Sequence, residues 1–264
     1  MEKLKDTLIV TATLGNRPSL DETVKSVESH GNGRVEHVII APKNAFESLS
    51  ENYPNLNIIA EPDTCRGIYQ ALNHVFNLLG RDYKYLGFIN DDDLWTENYP
   101  TLFDILDKNE SIDVAYGRVC FVDENLKKIG EQTSFPFYKF FPDLLTRDII
   151  LFTQQATLMR SGLYFSEKGF DESFKLVADT KFWLSAIRNK AKLKATRKIC
   201  AKYTIQKGQL SSNKELQGKE HQELLKMVPQ RNRNRAGISV LLFRLFNIRI
   251  YLERFFINRS VYRA

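Results

Sequence analysis

The sequence predicts an α/β protein: a mostly parallel sheet flanked by helices, with a helical extension at its C-terminal end. Two observations carry that reading. Short apolar runs alternate with amphipathic helical stretches from Thr7 to Phe88, the pattern of repeated βα units that build a parallel sheet. From residue 236 onward Leu, Ile, Phe, Tyr and Arg dominate in a stretch that reads as helical. The expected division is residues 1–229 for the α/β domain and 230–264 for a basic, aromatic-rich tail.

Each element has its own signal. Thr7 to Ala12 reads as the first strand, and Leu20 to Ser29 as a helix. Ser19 is the expected N-cap there, with Glu22 three residues on in capping-box spacing. Val38 to Ala41 and Leu56 to Ala60 are the next strands. Ile68 to Leu79 is helical, with Ala71, Leu72, Val75, Phe76 and Leu79 at three- and four-residue steps. Tyr85 to Ile89 is the fourth strand. Beyond it, Val114 to Val122 reads as a strand, Asp123-Glu124-Asn125 as a turn, and the Phe-rich stretch 135–141 as a packed loop. Thr153 to Met159 and Ile199 to Ile205 read as strands, and Asp179 to Asn189 as a helix.

Composition narrows the function classes. Cys65, Cys120 and Cys200 are odd in number, with no CxxC or Cys/His spacing, so neither a disulfide framework nor a zinc site is suggested. The N-terminus enters a strand-like run without a signal-peptide pattern, and no run of eighteen uncharged apolar residues suggests a spanning helix. The cytoplasm is the expected location. Residues 230–264 hold eight arginines against one acid, Glu253, which more than accounts for the net charge of +6. The body is near neutral and offers no nucleic-acid-binding module, so no nucleic-acid partner is expected.

At the end of the fourth strand stands Asn90-Asp91-Asp92-Asp93. Ligands bind at the C-terminal edge of open α/β sheets. Adjacent carboxylates repel, and a divalent cation makes such a cluster favourable; capping the next helix is the competing use. Other segments add to it. Thr11-Ala12-Thr13-Leu14-Gly15-Asn16-Arg17-Pro18 precedes the triplet, as do Glu61-Pro62-Asp63 and Gly67-Ile68-Tyr69-Gln70-Ala71-Leu72-Asn73. After it come Gln154-Gln155-Ala156-Thr157, Gly169-Phe170-Asp171-Glu172-Ser173-Phe174 and Val177-Ala178-Asp179-Thr180-Lys181-Phe182-Trp183-Leu184. In this order, over roughly residues 7 to 215, they resemble family 2 glycosyltransferases of the GT-A fold, particularly those that build bacterial surface polysaccharides.

The resemblance implies transfer of a sugar from a nucleotide-sugar donor to a hydroxyl of a glycan or lipid-linked acceptor, in one displacement with inversion. It implies Mg²⁺ or Mn²⁺ held by Asp93, with Asp91 beside it, and Asp179 as general base. On the donor side it places Thr11, Thr13, Arg17, Asp63, Gly67, Asn73, Asp91 and Asp92, with Asn73 holding the loops. Trp95, Gln154, Gln155 and Trp183 would line the acceptor or sugar pocket, although aromatics at the spacings of the two tryptophans are more often core. The residue types suit the chemistry. A leaving diphosphate needs its charge neutralised, and the acceptor hydroxyl must lose a proton. Asp179 also reads as a helix cap.

Three features depart from the family pattern. Ala41 stands where an aspartate usually meets the nucleotide base. The segment from Asp63 to Gly67 holds two extra residues, and Gln154 replaces a histidine. Sugar-phosphate nucleotidylyl transfer, and a non-catalytic membrane or assembly role, are the alternatives; the single glycine between Thr11 and Pro18 counts against the first.

On a helical wheel the tail shows two apolar arcs. One contains Leu241, Leu245, Ile248, Leu252 and Phe256, the other Phe243, Phe246, Ile250 and Ile257. One arc is expected on the body. The other is expected on an anionic membrane surface, at the inner face of the cell membrane, or on a second subunit of a homodimer.

Overall fold

A computed structural model describes residues 5–206 and 213–258. Its first half alternates as the periodicity requires: β1 (Thr7–Ala12), α1 (Leu20–His30), β2 (Val35–Ala41), α2 (Lys43–Asn52), β3 (Asn57–Ala60), α3 (Ile68–Leu79) and β4 (Tyr85–Phe88). Then follow β5 (Leu94–Trp95), α4 (Pro100–Asp107), β6 (Val114–Val122), β7 (Lys128–Glu131) and α5 (Phe141–Leu145). Next come β8 (Thr157–Arg160), α6 (Ser161–Ser166), α7 (Ala178–Arg188), β9 (Leu193–Thr204), α8 (Lys214–Lys226), α9 (Gln230–Phe246) and α10 (Ile248–Asn258).

The described strands form one sheet, ordered β3-β2-β1-β4-β8-β6-β9-β5, with β7 paired to β6. The β3-β2-β1-β4 half is parallel throughout. Leu8, Ile9, Val10 and Leu86 are fully buried, as expected for strands covered on both faces. The other half is mixed: β8 runs antiparallel to both β4 and β6, while β9 runs parallel to β6 and antiparallel to β5. The chain goes outward from β1 to β3, then returns to place β4 on the opposite side of β1. In open α/β sheets such a reversal, beyond the carboxyl ends of the two strands, is where ligands commonly bind.

Several local expectations change. Ser19 is not a cap: its backbone is helical and its side chain makes no capping bond. The predicted strand from Thr153 begins only at Thr157, after a 3-10 turn at Gln154–Ala156. The Phe-rich stretch is not all loop; Tyr138–Phe140 forms a 3-10 turn and Phe141 opens α5. The last strand starts six residues early, at Leu193.

The tail is two helices, broken at Asn247, and residues 259–264 lie outside the described residues. Both helices dock on the body. Asp143 of α5, wholly buried, accepts from Asn232 (2.6 Å), Arg235 (3.1 Å) and Ser239 (2.7 Å) of α9. Asn247 pairs with the Ser134 backbone through two bonds of 3.0 and 2.9 Å. Arg254 donates to the Glu131 carbonyl at 2.6 Å. Of the two apolar arcs, Phe243 and Ile250 face the body, whereas Phe246 and Ile257 of the same arc stay exposed.

Candidate active site

The segment that follows β4 is fastened by α1 and by Ser19 just before it. Ser19 donates to the Asp91 carbonyl (2.9 Å), Thr23 to the Asp93 carbonyl (2.9 Å), and Ser26 Oγ accepts from the Trp95 N–H (3.1 Å). Three hydroxyls at four- and three-residue steps thus line one helical face and hold the backbone of the aspartate segment.

Within the triplet the environments diverge. Asp91 accepts from Thr13 Oγ1 at 2.6 Å and lies 3.2 Å from Arg17 Nε. Asp92 accepts from an Arg17 guanidinium nitrogen at 3.0 Å and from Gln206 Nε2 at 2.8 Å. Asp93 is fully buried and turned inward, accepting from Asn90 (3.0 Å), Gln155 (2.6 Å) and the Thr204 N–H (3.0 Å). Burial, then the neighbouring Asp92 charge, pushes its pKa well above the ordinary carboxylate range. A carboxylate with no exposed surface and three protein donors is a structural brace. Of the expected metal ligands Asp93 and Asp91, Asp93 is thus engaged by protein donors alone, whereas Asp91 and its neighbour Asp92 face the Arg17 guanidinium.

This pair fits a hard divalent ion. Both donors are carboxylate oxygens, and they already converge on one cation, the Arg17 guanidinium. No cluster of three or more His, Cys, Asp or Glu side chains suited to a metal occurs among the described residues. The arrangement suits an ion that takes one or two carboxylates from the protein and the remaining ligands from phosphates and water.

Asp179 lies in the first turn of α7. Its Oδ1 accepts from the Thr180 N–H at 2.7 Å and lies 3.1 Å from the Tyr69 hydroxyl. Burial raises its pKa, while those hydrogen bonds pull it back. Tyr69 is in the first turn of α3, which follows β3. Asp179 therefore stands at the same C-terminal edge of the parallel half as the aspartate pair. Gly67 precedes α3 at φ 151° and ψ 169°, a backbone region that is almost exclusively glycine's.

Asn73 is the loop clamp. It donates to the Phe170 carbonyl (2.8 Å) and Glu172 (2.9 Å), and accepts from Tyr164 (2.6 Å) and the Phe170 N–H (2.9 Å). Gly169, at φ 77°, lets this fit: a Cβ there would sit 2.7 Å from the Tyr164 hydroxyl.

Other expected residues stand elsewhere. Thr11 is fully buried and bonded to His37 at 2.9 Å, so it offers no surface to a donor. Trp95 stacks on Tyr99 at 3.4 Å between centroids and Trp183 packs on Phe152 and Phe182. Both are 3% exposed, which makes them core rather than pocket walls. Gln155 braces Asp93, and Gln154 opens the turn beside it. Asp63 is exposed at the end of β3, ion-paired with Lys43 at 2.8 Å, a contact that lowers its pKa.

Sequence reasoning passed over Gln206, Tyr69 and Glu220. Glu220 of α8 is buried and accepts from the backbone N–H groups of Lys175 (2.6 Å), Leu176 (2.9 Å) and Val177 (3.1 Å), immediately before α7. In the sequence Glu220 is one of three glutamates in a polar helix, and nothing local sets it apart.

No protein-family model and no curated protein sequence matches the chain. Solved structures do. S. aureus TarS 1–349 aligns with TM-score 0.58 at 16% identity, over 75% of this chain and 60% of that one. Its complex with UDP-GlcNAc gives 0.61 at 16%, over 79% and 61%. The mannosyltransferase PcManGT from Pyrobaculum calidifontis, in complex with GDP-Man and Mn²⁺, gives 0.55 at 13%, over 81% and 61%. The chain thus spans about three-fifths of the length of the structures it matches. Identity this low speaks for architecture alone, and on that ground the chain has the GT-A glycosyltransferase fold.

Proposed function

We propose that the chain is a glycosyltransferase, moving a sugar from a nucleotide-sugar donor to a hydroxyl of a glycan or lipid-linked acceptor. One observation carries the reading: a carboxylate pair that holds the Arg17 cation and a separate, half-buried carboxylate, Asp179, share one sheet edge. Leaving-group stabilisation and proton removal need two such centres.

In this reading the donor diphosphate binds beyond the carboxyl ends of β1 and β4, beside Arg17. Asp91 and Asp92 hold Mg²⁺ or Mn²⁺, which when bound neutralises charge on the leaving diphosphate. Asp179 takes the proton of the acceptor hydroxyl. The acceptor oxygen bonds to the anomeric carbon as the bond to the diphosphate oxygen breaks, and its electron pair leaves with the nucleoside diphosphate. One displacement inverts the anomeric configuration. Ala41 is buried, so base recognition would fall to other groups beyond the strand ends, such as the exposed Lys43–Asp63 ion pair. The setting is assembly of a cell-surface polysaccharide, with the protein peripheral at the inner face of the membrane. No helix among the described residues is long and apolar enough to cross a membrane.

The test is thermal stability in UDP, GDP or dTDP, each with and without Mn²⁺, followed by turnover. A diphosphate at 100 times its Kd adds about 2.7 kcal/mol, and only with metal. Asp179→Asn then lowers transfer roughly 10²–10⁴-fold while diphosphate binding persists. Stabilisation by none of the three, or turnover unchanged in Asp179→Asn, overturns the reading.

A further inference from the structure

The tail helices are built inside out. Along α9 and α10 the buried positions are Asn232, Ala236, Ser239, Phe243, Asn247, Ile250 and Arg254, spaced three and four apart. Five of these seven are polar or alanine, and the polar ones are matched to groups on the body: Asp143, Ser134 and Glu131. Apart from Phe243 and Ile250, six large apolar side chains point the other way. Ile238, Leu241, Leu245, Ile248, Leu252 and Phe256 are each 54–70% exposed. A soluble surface helix has the opposite pattern, and a contiguous exposed apolar face marks an interaction site.

We infer that this outer face of α9 and α10 docks on an anionic lipid bilayer. Charge decides the occupant. Arg231, Arg233 and Arg244 are exposed on α9 with no ion pair among the described residues, while the exposed Arg235 and Arg249 pair with Asp143 and Glu131 of the body. In a two-fold dimer the same patch meets itself, which would set these arginines against one another. An anionic bilayer gives Arg231, Arg233 and Arg244 an opposite charge, and arginine can reach headgroups while neighbouring apolar side chains insert. Beside the face, Phe135, Phe137, Phe140, Leu242 and Phe246 line an open pocket of about 450 Å³. Its walls suit an acyl chain and offer nothing to a polar ligand.

The inference rests on the peripheral location proposed above and not on the transfer chemistry. Its test reads lipid binding without turnover, so either can fail alone. The full chain is mixed with vesicles of phosphatidylcholine, or of phosphatidylcholine with phosphatidylglycerol, and floated on a density gradient. The chain should float with the anionic vesicles and stay behind with the neutral ones. Leu241→Ser/Leu245→Ser/Leu252→Ser changes exposed positions only and should cut the bound fraction about tenfold or more, with an unchanged melting temperature. Arg231→Gln/Arg244→Gln should weaken binding and its salt dependence. Leu245→Trp, a reporter that retains the apolar face, should shift its emission to the blue on anionic vesicles. Absence of flotation together with an unshifted Leu245→Trp emission overturns the proposal. So does equal binding to neutral vesicles, or a dimer that the triple serine variant converts to monomer.

Discussion

Asp92 and Asp93 are neighbours in sequence with opposite surroundings, and substitution should separate them. Asp93→Ala leaves the Asn90, Gln155 and Thr204 donors stranded in the core. A loss of about 2–4 kcal/mol in urea unfolding is expected, since each unsatisfied group costs about 1–3 kcal/mol. Asp92→Asn should leave stability within about 1 kcal/mol but abolish the metal dependence of diphosphate binding. Equal destabilisation by both would remove the distinction. A second expectation concerns Tyr69. A general base acts when deprotonated, so activity falls as pH drops through its pKa. Burial raises that of Asp179, and the Tyr69 hydroxyl opposes the rise by bonding the charged form. Tyr69→Phe should therefore move the acid limb of the pH–kcat profile further toward neutrality; a shift to lower pH would contradict the pairing. The position of the triplet was legible in the sequence, because an apolar run ending in acids can be read locally. Which aspartate turns inward was not, since the decision lies with Gln155 and Thr204, 62 and 111 residues away.

Among the elements, α8 controls a loop that it does not adjoin in sequence. Its Glu220 replaces the side-chain cap that α7 lacks, gathering three successive backbone N–H groups just before Ala178. Glu220→Ala should free the segment 175–177, raising amide exchange there and lowering kcat about tenfold, with diphosphate affinity unchanged. Unchanged kcat with faster exchange would confine Glu220 to a purely structural role. Helices with a strong apolar period, α3 above all, were readable from their residues. α2 was missed because Lys43–Asn52 buries only Leu49. Ser19 misled for a tertiary reason: its hydroxyl serves the Asp91 carbonyl instead of its own helix. The tail's two arcs were legible as a pattern. Its break was not, because Asn247 stops the helix by pairing with Ser134.

For the whole molecule, the parallel half followed from βα alternation, whereas the mixed half depends on β8 entering between β4 and β6, a pairing without local signature. The net positive charge comes from residues 230–264 rather than from the body, so binding to anionic surfaces should be oriented and should weaken with salt. The Asp143 anchor adds a matter of timing. Its partner Ser239 is 96 residues later in the chain, a delay of roughly 5–20 s during synthesis. Until that segment emerges, the carboxylate has no protein partner among Asn232, Arg235 and Ser239, and an unpaired charge resists burial. Water must therefore keep access to α5. The body waits, with its 135–145 face open, for the same helices that later carry the apolar surface.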